Sequence, residues 1–173
     1  MIKKSNLEIA EQMTAEPGVE PRLKFLTEFM SLTGERVSDV ARTLEMTRAG
    51  VAHWFTCDDT KLSYCQQYIE RKGYELIFSL MKDQVKVEAS NVNISIQRKA
   101  VPDDDVDCER LQFLQLAMKK NGITKVDIAQ KLGLQYNSVR HWFVVDDIYV
   151  SHIFNIAHIY GFKVDIQIKP KED

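Results

Sequence analysis

Sliding the chain against itself by 88 residues brings two segments into register, and this internal repeat constrains the fold more than any other feature. RLKFL at Arg22–Leu26 falls on RLQFL at Arg110–Leu114, and VAHWF at Val51–Phe55 falls on VRHWF at Val139–Phe143. Asp58 and Asp59 fall on Asp146 and Asp147, Ser63 on Ser151, and Gly73 on Gly161. From 22–80 onto 110–168 no gap is needed, and 17 of 59 positions are identical, where roughly three to four are expected from ordinary residue usage. Whatever fold the first segment adopts, the second must adopt as well.

Within each copy the apolar spacing is helical. Leu23, Leu26 and Met30 match Leu111, Leu114 and Met118, apolar at i, i+3 and i+7. Gly34 and Gly122 follow where a helix C-terminal cap belongs. A second helix carries Val40, Ala41 and Leu44 against Ile128, Ala129 and Leu132. A third carries Val51, Trp54 and Phe55 against Val139, Trp142 and Phe143, and a fourth carries Cys65, Tyr68 and Ile69 against Ile153, Ile156 and Ala157. Asp59 and Asp147 fall where the fourth helix needs an N-cap acceptor, and Gly73 and Gly161 where it should stop. After each of those glycines the period changes to two: YELIFSL (Tyr74–Leu80) and FKVDIQI (Phe162–Ile168) alternate like half-buried strands.

The expected fold is therefore mainly α: two tandem four-helix units, each followed by a β-strand, with the strands joined in a small shared antiparallel sheet. Val92, Ile94 and Ile96 alternate in the spacer and predict one further strand. The expected division is an N-terminal arm over 1–21, a first repeat with its strand over 22–83, a spacer with one strand and an acidic linker over 84–109, and a second repeat over 110–173. No apolar run approaches the ~20 residues of a membrane helix, and the N-terminal MIKKSNLEIAEQM has no apolar stretch of the kind a secretory signal carries. Three cysteines without metal or disulfide spacing fit a reducing cytoplasm, and neither a metal site nor a cofactor is expected.

GITKVDIAQKLGLQYNSVRHW (Gly122–Trp142) resembles the lambda-repressor/Cro-like, or XRE-type, helix-turn-helix family. Ala129 is the small residue at the close approach of the two motif helices, Leu132-Gly133 is the turn, and Val139 and Trp142 anchor the second motif helix. Counting both copies, the resemblance covers about two-thirds of the chain. It implies lambda-repressor-like units that bind double-stranded DNA. The first copy keeps Ala41, Leu44, Val51 and Trp54, but Glu45 stands where the turn glycine belongs, and Gly50 lies inside the recognition helix. A positive φ at Glu45 would cost about 1 kcal/mol, and a helical glycine up to about 1 kcal/mol relative to alanine.

In such a motif the second helix enters the major groove and its first turns meet base edges. The resemblance assigns that role in copy two to Gln135, Tyr136, Asn137, Ser138, Arg140 and His141, with Gln and Asn suited to adenine and Arg to guanine. Phosphate contacts fall to Thr124 and Lys125, with Lys119, Lys120 and Lys131 adding longer-range attraction. In copy one only Thr47 and Arg48 offer good base chemistry, and Arg36 and Arg42 serve the backbone. Trp54 and Trp142 lie on the apolar stripe and are read as core. Asp58-Asp59 and Asp146-Asp147 depart from the family, which often carries basic or polar residues there; capping explains them locally, but at close range they would repel a phosphate backbone.

Net charge is −2, unusual for a nucleic-acid binder, but its distribution is uneven. Copy two has 7 basic and 4 acidic residues and copy one has 8 of each, whereas residues 81–109 have 4 basic and 7 acidic. No glycine-rich phosphate loop, nucleophile–base pattern or metal-ligand spacing is present, so an enzyme and a small-molecule substrate are not expected. The expected function is sequence-specific DNA binding by a transcriptional regulator acting as a covalent pseudo-dimer, with an asymmetric site because the two recognition helices differ. The alternative is a protein-interaction module on a degenerate helix-turn-helix scaffold, and exposed strand edges point to a homodimer as a further partner.

Overall fold

The computed structural model describes residues 20–82 and 108–172. The spacer strand expected around Val92–Ile96, and nearly all of the N-terminal arm, lie outside the described residues. The first repeat is α1 (Lys24–Thr33), α2 (Val37–Leu44), α3 (Arg48–Cys57), α4 (Leu62–Arg71) and β1 (Tyr74–Lys82). The second is α5 (Gln112–Asn121), α6 (Lys125–Leu132), α7 (Tyr136–Val145), α8 (Val150–Tyr160) and β2 (Phe162–Pro170). Both strands run two residues beyond the alternating stretch read from the sequence, because pairing continues there: β1 and β2 form a two-stranded antiparallel sheet from Tyr74↔Pro170 to Lys82↔Phe162.

The register gives the molecule an internal two-fold axis. Phe78 pairs with Ile166 at the centre of the ladder, and these residues are one repeat period apart. An isolated antiparallel bridge joins Lys61 to Tyr149, again one period apart. Residues that face their own repeat equivalents lie on a dyad, and two such pairs define its line. The hydrogen bonds obey it: Leu62 N–H donates to Ile148 O at 2.8 Å, and Val150 N–H donates to Thr60 O at 2.9 Å.

One apolar cluster runs through both repeats. Phe78, on the dyad, sits against Phe25 of its own repeat (5.5 Å between ring centroids) and Phe113 of the other (5.9 Å), themselves equivalent residues. Burying such a side chain contributes about 1.5–3 kcal/mol. Of the residues placed on apolar stripes by periodicity, Leu26, Met30, Val40, Val51, Cys65 and Ile69 and their counterparts Leu114, Met118, Ile128, Val139, Ile153 and Ala157 are buried, and Leu44 and Leu132 are half-buried against the core.

The paired aspartates cap helices, but the fourth helix is not capped from within its own repeat. Asp58 and Asp146 adopt positive φ (51° each) at the ends of α3 and α7. Their carboxylates accept the amides that open the first helix of the same repeat: Arg22 and Leu23 at 2.8 and 3.0 Å, and Arg110 and Leu111 at 2.9 Å each. Asp59 instead accepts from Ser151 N–H at 2.8 Å, at the start of α8, and Asp147 accepts from Ser63 N–H at 3.0 Å and Ser63 Oγ–H at 2.6 Å, at the start of α4. The capping expectation is corrected in its partner: each second aspartate caps the fourth helix of the other repeat. The dyad brings the two loops side by side, so the neighbouring helix start is the nearer unsatisfied set of amides.

Candidate nucleic-acid interface

The α6–turn–α7 unit closes on Gly133 (φ 66°), and the α2–turn–α3 unit closes on Glu45 at nearly the same dihedral (φ 57°). Copy one therefore makes the same turn and accepts the strain that glycine avoids in copy two. Before each turn, Ala41 and Ala129 are buried where the motif helices meet. Val139, Trp142 and Phe143 pin α7 to the core, as Val51, Trp54 and Phe55 pin α3. The tryptophans stack on equivalent partners of α8 and α4: Trp142 on His152 at 4.7 Å and Trp54 on Tyr64 at 5.6 Å. Burial holds the His152 imidazolium below its usual pKa, with Asp59 partly opposing.

With its apolar face anchored, α7 presents the rest outward. Tyr136, Asn137, Ser138, Arg140 and His141 are all exposed, as is Gln135, which is the N-cap residue and makes no side-chain cap bond. Thr124 is exposed and caps α6, its hydroxyl and amide both bonded to Asp127. Lys125 departs from its expected role. It is 5% exposed, with its ammonium 5.0 Å from the centre of the Phe143 ring; it lies under the recognition helix and is not placed to touch a phosphate.

In copy one, Arg36, Arg48, Ala49, Ala52 and His53 are exposed. Thr47 is exposed too, but it is the N-cap of α3 and its Oγ accepts from Gly50 N–H at 3.1 Å. A Cβ on residue 50 would lie 3.0 Å from that oxygen, so the helical glycine makes room for the cap. Arg42 pairs with Asp39 at 3.1 Å. Asp39 accepts the Arg36 amide and faces Arg42, which together hold its carboxyl below the usual range. Copy one thus offers Arg48 and Arg36 on a face otherwise small or neutral, and copy two offers a continuous polar row.

The dyad sets the two faces relative to each other, because equivalent atoms lie at equal height along a two-fold axis. Asn137, Ser138 and His141 line a groove of 560 Å³ together with Lys61 of the other repeat and with Tyr149, the two residues that meet on the axis. α7 therefore flanks the Lys61–Tyr149 bridge, and the dyad puts α3 on the other side of it at the same end of the molecule. The bridge residues were not singled out in the sequence, since nothing local marks a pair 88 residues apart as neighbours. Val144 and Val145 (53% and 48% exposed) were missed as well; they replace Thr56 and Cys57 of copy one and extend the surface of α7 with apolar area. The aspartate pairs, which threatened to repel a duplex, are only partly exposed and engaged by backbone amides.

No family model, curated protein or solved structure matches this chain. Among the described residues no helix is long and apolar enough to cross a membrane.

Proposed function

We propose that this chain is a lambda-repressor/Cro-like, XRE-type DNA-binding protein and a cytoplasmic transcriptional regulator, whose two helix-turn-helix units grip one duplex as a covalent pseudo-dimer. The observation that carries the proposal is the internal dyad: it relates two motifs of the same construction and turns both recognition helices toward one end, as a duplex with two half-sites requires. Gln135, Asn137 and Arg140 supply the donors and acceptors that major-groove base edges demand, and Arg48 supplies the strongest such group in copy one. Because α3 and α7 differ at nearly every exposed position, the favoured site is asymmetric.

Selection from a random duplex library, followed by titration at two salt concentrations, tests this. The expected result is an asymmetric consensus and affinity that falls steeply with salt. Arg140→Ala should then cost about 1–3 kcal/mol at a single base position; an unchanged profile removes Arg140 from the site. The exposed Val144 and Val145, the latter in the groove with Tyr149, favour a second reading, a partner protein docked on α7. Absence of salt-dependent duplex binding would leave that one standing.

A further inference from the structure

Lys61 and Tyr149 occupy equivalent places in the two repeats and meet on the internal dyad. A symmetric dimer would carry the same side chain twice at this point; here one side has an ammonium and the other a phenol. Lys61 is the N-cap residue of α4, and its ammonium, which has no acceptor, cannot cap the helix amides. Its ammonium lies 6.0 Å from the Tyr64 ring centre, and the residue lines the groove shared with Asn137, Ser138 and His141. The carboxylate beside it is engaged elsewhere: Asp147 accepts from Ser63 N–H, Ser63 Oγ–H and Ile148 N–H. Lys61 thus stands on the axis that relates α3 to α7, in the groove beside α7.

We infer that Lys61 neutralises a backbone phosphate at the centre of the duplex site, between the two half-sites; this rests on the DNA-binding proposal above. When two dyad-related helices hold two half-sites, the protein dyad falls on a local dyad of the duplex, so a residue on the axis faces the intervening minor groove, with a backbone phosphate of each strand to either side of it. That contact carries no sequence information. It supplies affinity equally to every site the recognition helices accept. Because the duplex backbone is itself two-fold symmetric, a lysine on either side of the axis serves equally well.

This symmetry gives a test that a purely local role for Lys61 fails. One phosphate contact contributes about 0.9 to the slope of log K against log salt, which at 0.1 M salt corresponds to roughly eight-fold in affinity. Lys61→Met keeps the stem beside Tyr64 and removes the charge. In full-length protein titrated by fluorescence anisotropy, it should bind the selected duplex about eight-fold more weakly, with the slope reduced by about 0.9. The loss should be the same for duplexes with altered half-sites. Adding Tyr149→Lys to Lys61→Met moves the charge across the axis and should restore both slope and affinity. If the unaltered protein binds with a salt slope but Lys61→Met changes neither quantity, or if the relocated lysine restores nothing, the inference fails alone. If the unaltered protein shows no salt-dependent duplex binding, the parent proposal fails and takes this one with it.

Discussion

The exchanged caps make a quantitative claim about coupling between residues 84 positions apart. Asp147→Ala removes an N-cap, worth about 1 kcal/mol, together with the carboxylate's bond from Ser63 Oγ, worth about 1.5–3 kcal/mol as a hydrogen bond to a charged group. Ser63 is 8% exposed, so its hydroxyl has little water to turn to. The expected loss is about 3 kcal/mol in total. Asp59→Ala removes only the cap to Ser151 N–H and should cost about 1 kcal/mol. The two aspartates are equivalent in sequence, so this inequality comes from the structure. A double-mutant cycle of Asp147→Ala with Ser63→Ala, read as midpoint shifts in urea at constant m-value, should give a coupling of about 1.5 kcal/mol. If the two losses simply add, to within about 0.3 kcal/mol, the carboxylate does not accept from the Ser63 hydroxyl; the exchange of caps, made by the Ser63 and Ser151 backbone amides, fails if neither Asp147→Ala nor Asp59→Ala lowers stability.

Glu45→Gly relieves the positive φ of the copy-one turn, a gain of about 1 kcal/mol partly offset by the flexibility glycine adds to the unfolded chain. A net stabilisation of about 0.5 kcal/mol is expected in urea unfolding, and Gly133→Glu should lose about 1 kcal/mol; equal or reversed signs would contradict the turn geometry. For His152, burial lowers the folded-state pKa, so between that value and the unfolded value of 6.5 the unfolded chain binds more protons and stability rises with pH. The contribution is complete above pH 6.5 and shrinks as pH falls through 6.5 toward the lowered value. His152→Tyr, which copies the Trp54–Tyr64 stack, should remove this part of the pH dependence between pH 5 and 7.5. The check is melting temperature at both pH values for both proteins; an identical slope would show that His152 is not held neutral.

Much of the candidate site was legible because its determinants are local. The exposed row of α7 follows from Val139, Trp142 and Phe143: once helical spacing commits these to the core, Asn137, Ser138, Arg140 and His141 must face outward. Lys125 escaped because a lysine in a first helical turn looks solvated in any pattern, and only the packed Phe143 ring beneath α7 gives its long stem a place to be buried. Thr47 and Gly50 appeared unrelated, one a base-contact candidate and the other a helix defect, until their separation made them one capping device.

By itself the sequence determined the repeat, the eight helices and two strands of the described residues, the turn positions and the apolar faces, since each follows from spacing within ten or so residues. The tertiary structure alone decided how the two copies meet. Which strand pairs with which, which aspartate caps whose helix, and which residues stand on the axis between α3 and α7 all depend on contacts across some 85 residues of chain. Such contacts are selected by the mutual burial of Phe25, Phe78 and Phe113 and by the hydrogen-bonding needs of two helix starts brought side by side, and periodicity carries no information about them.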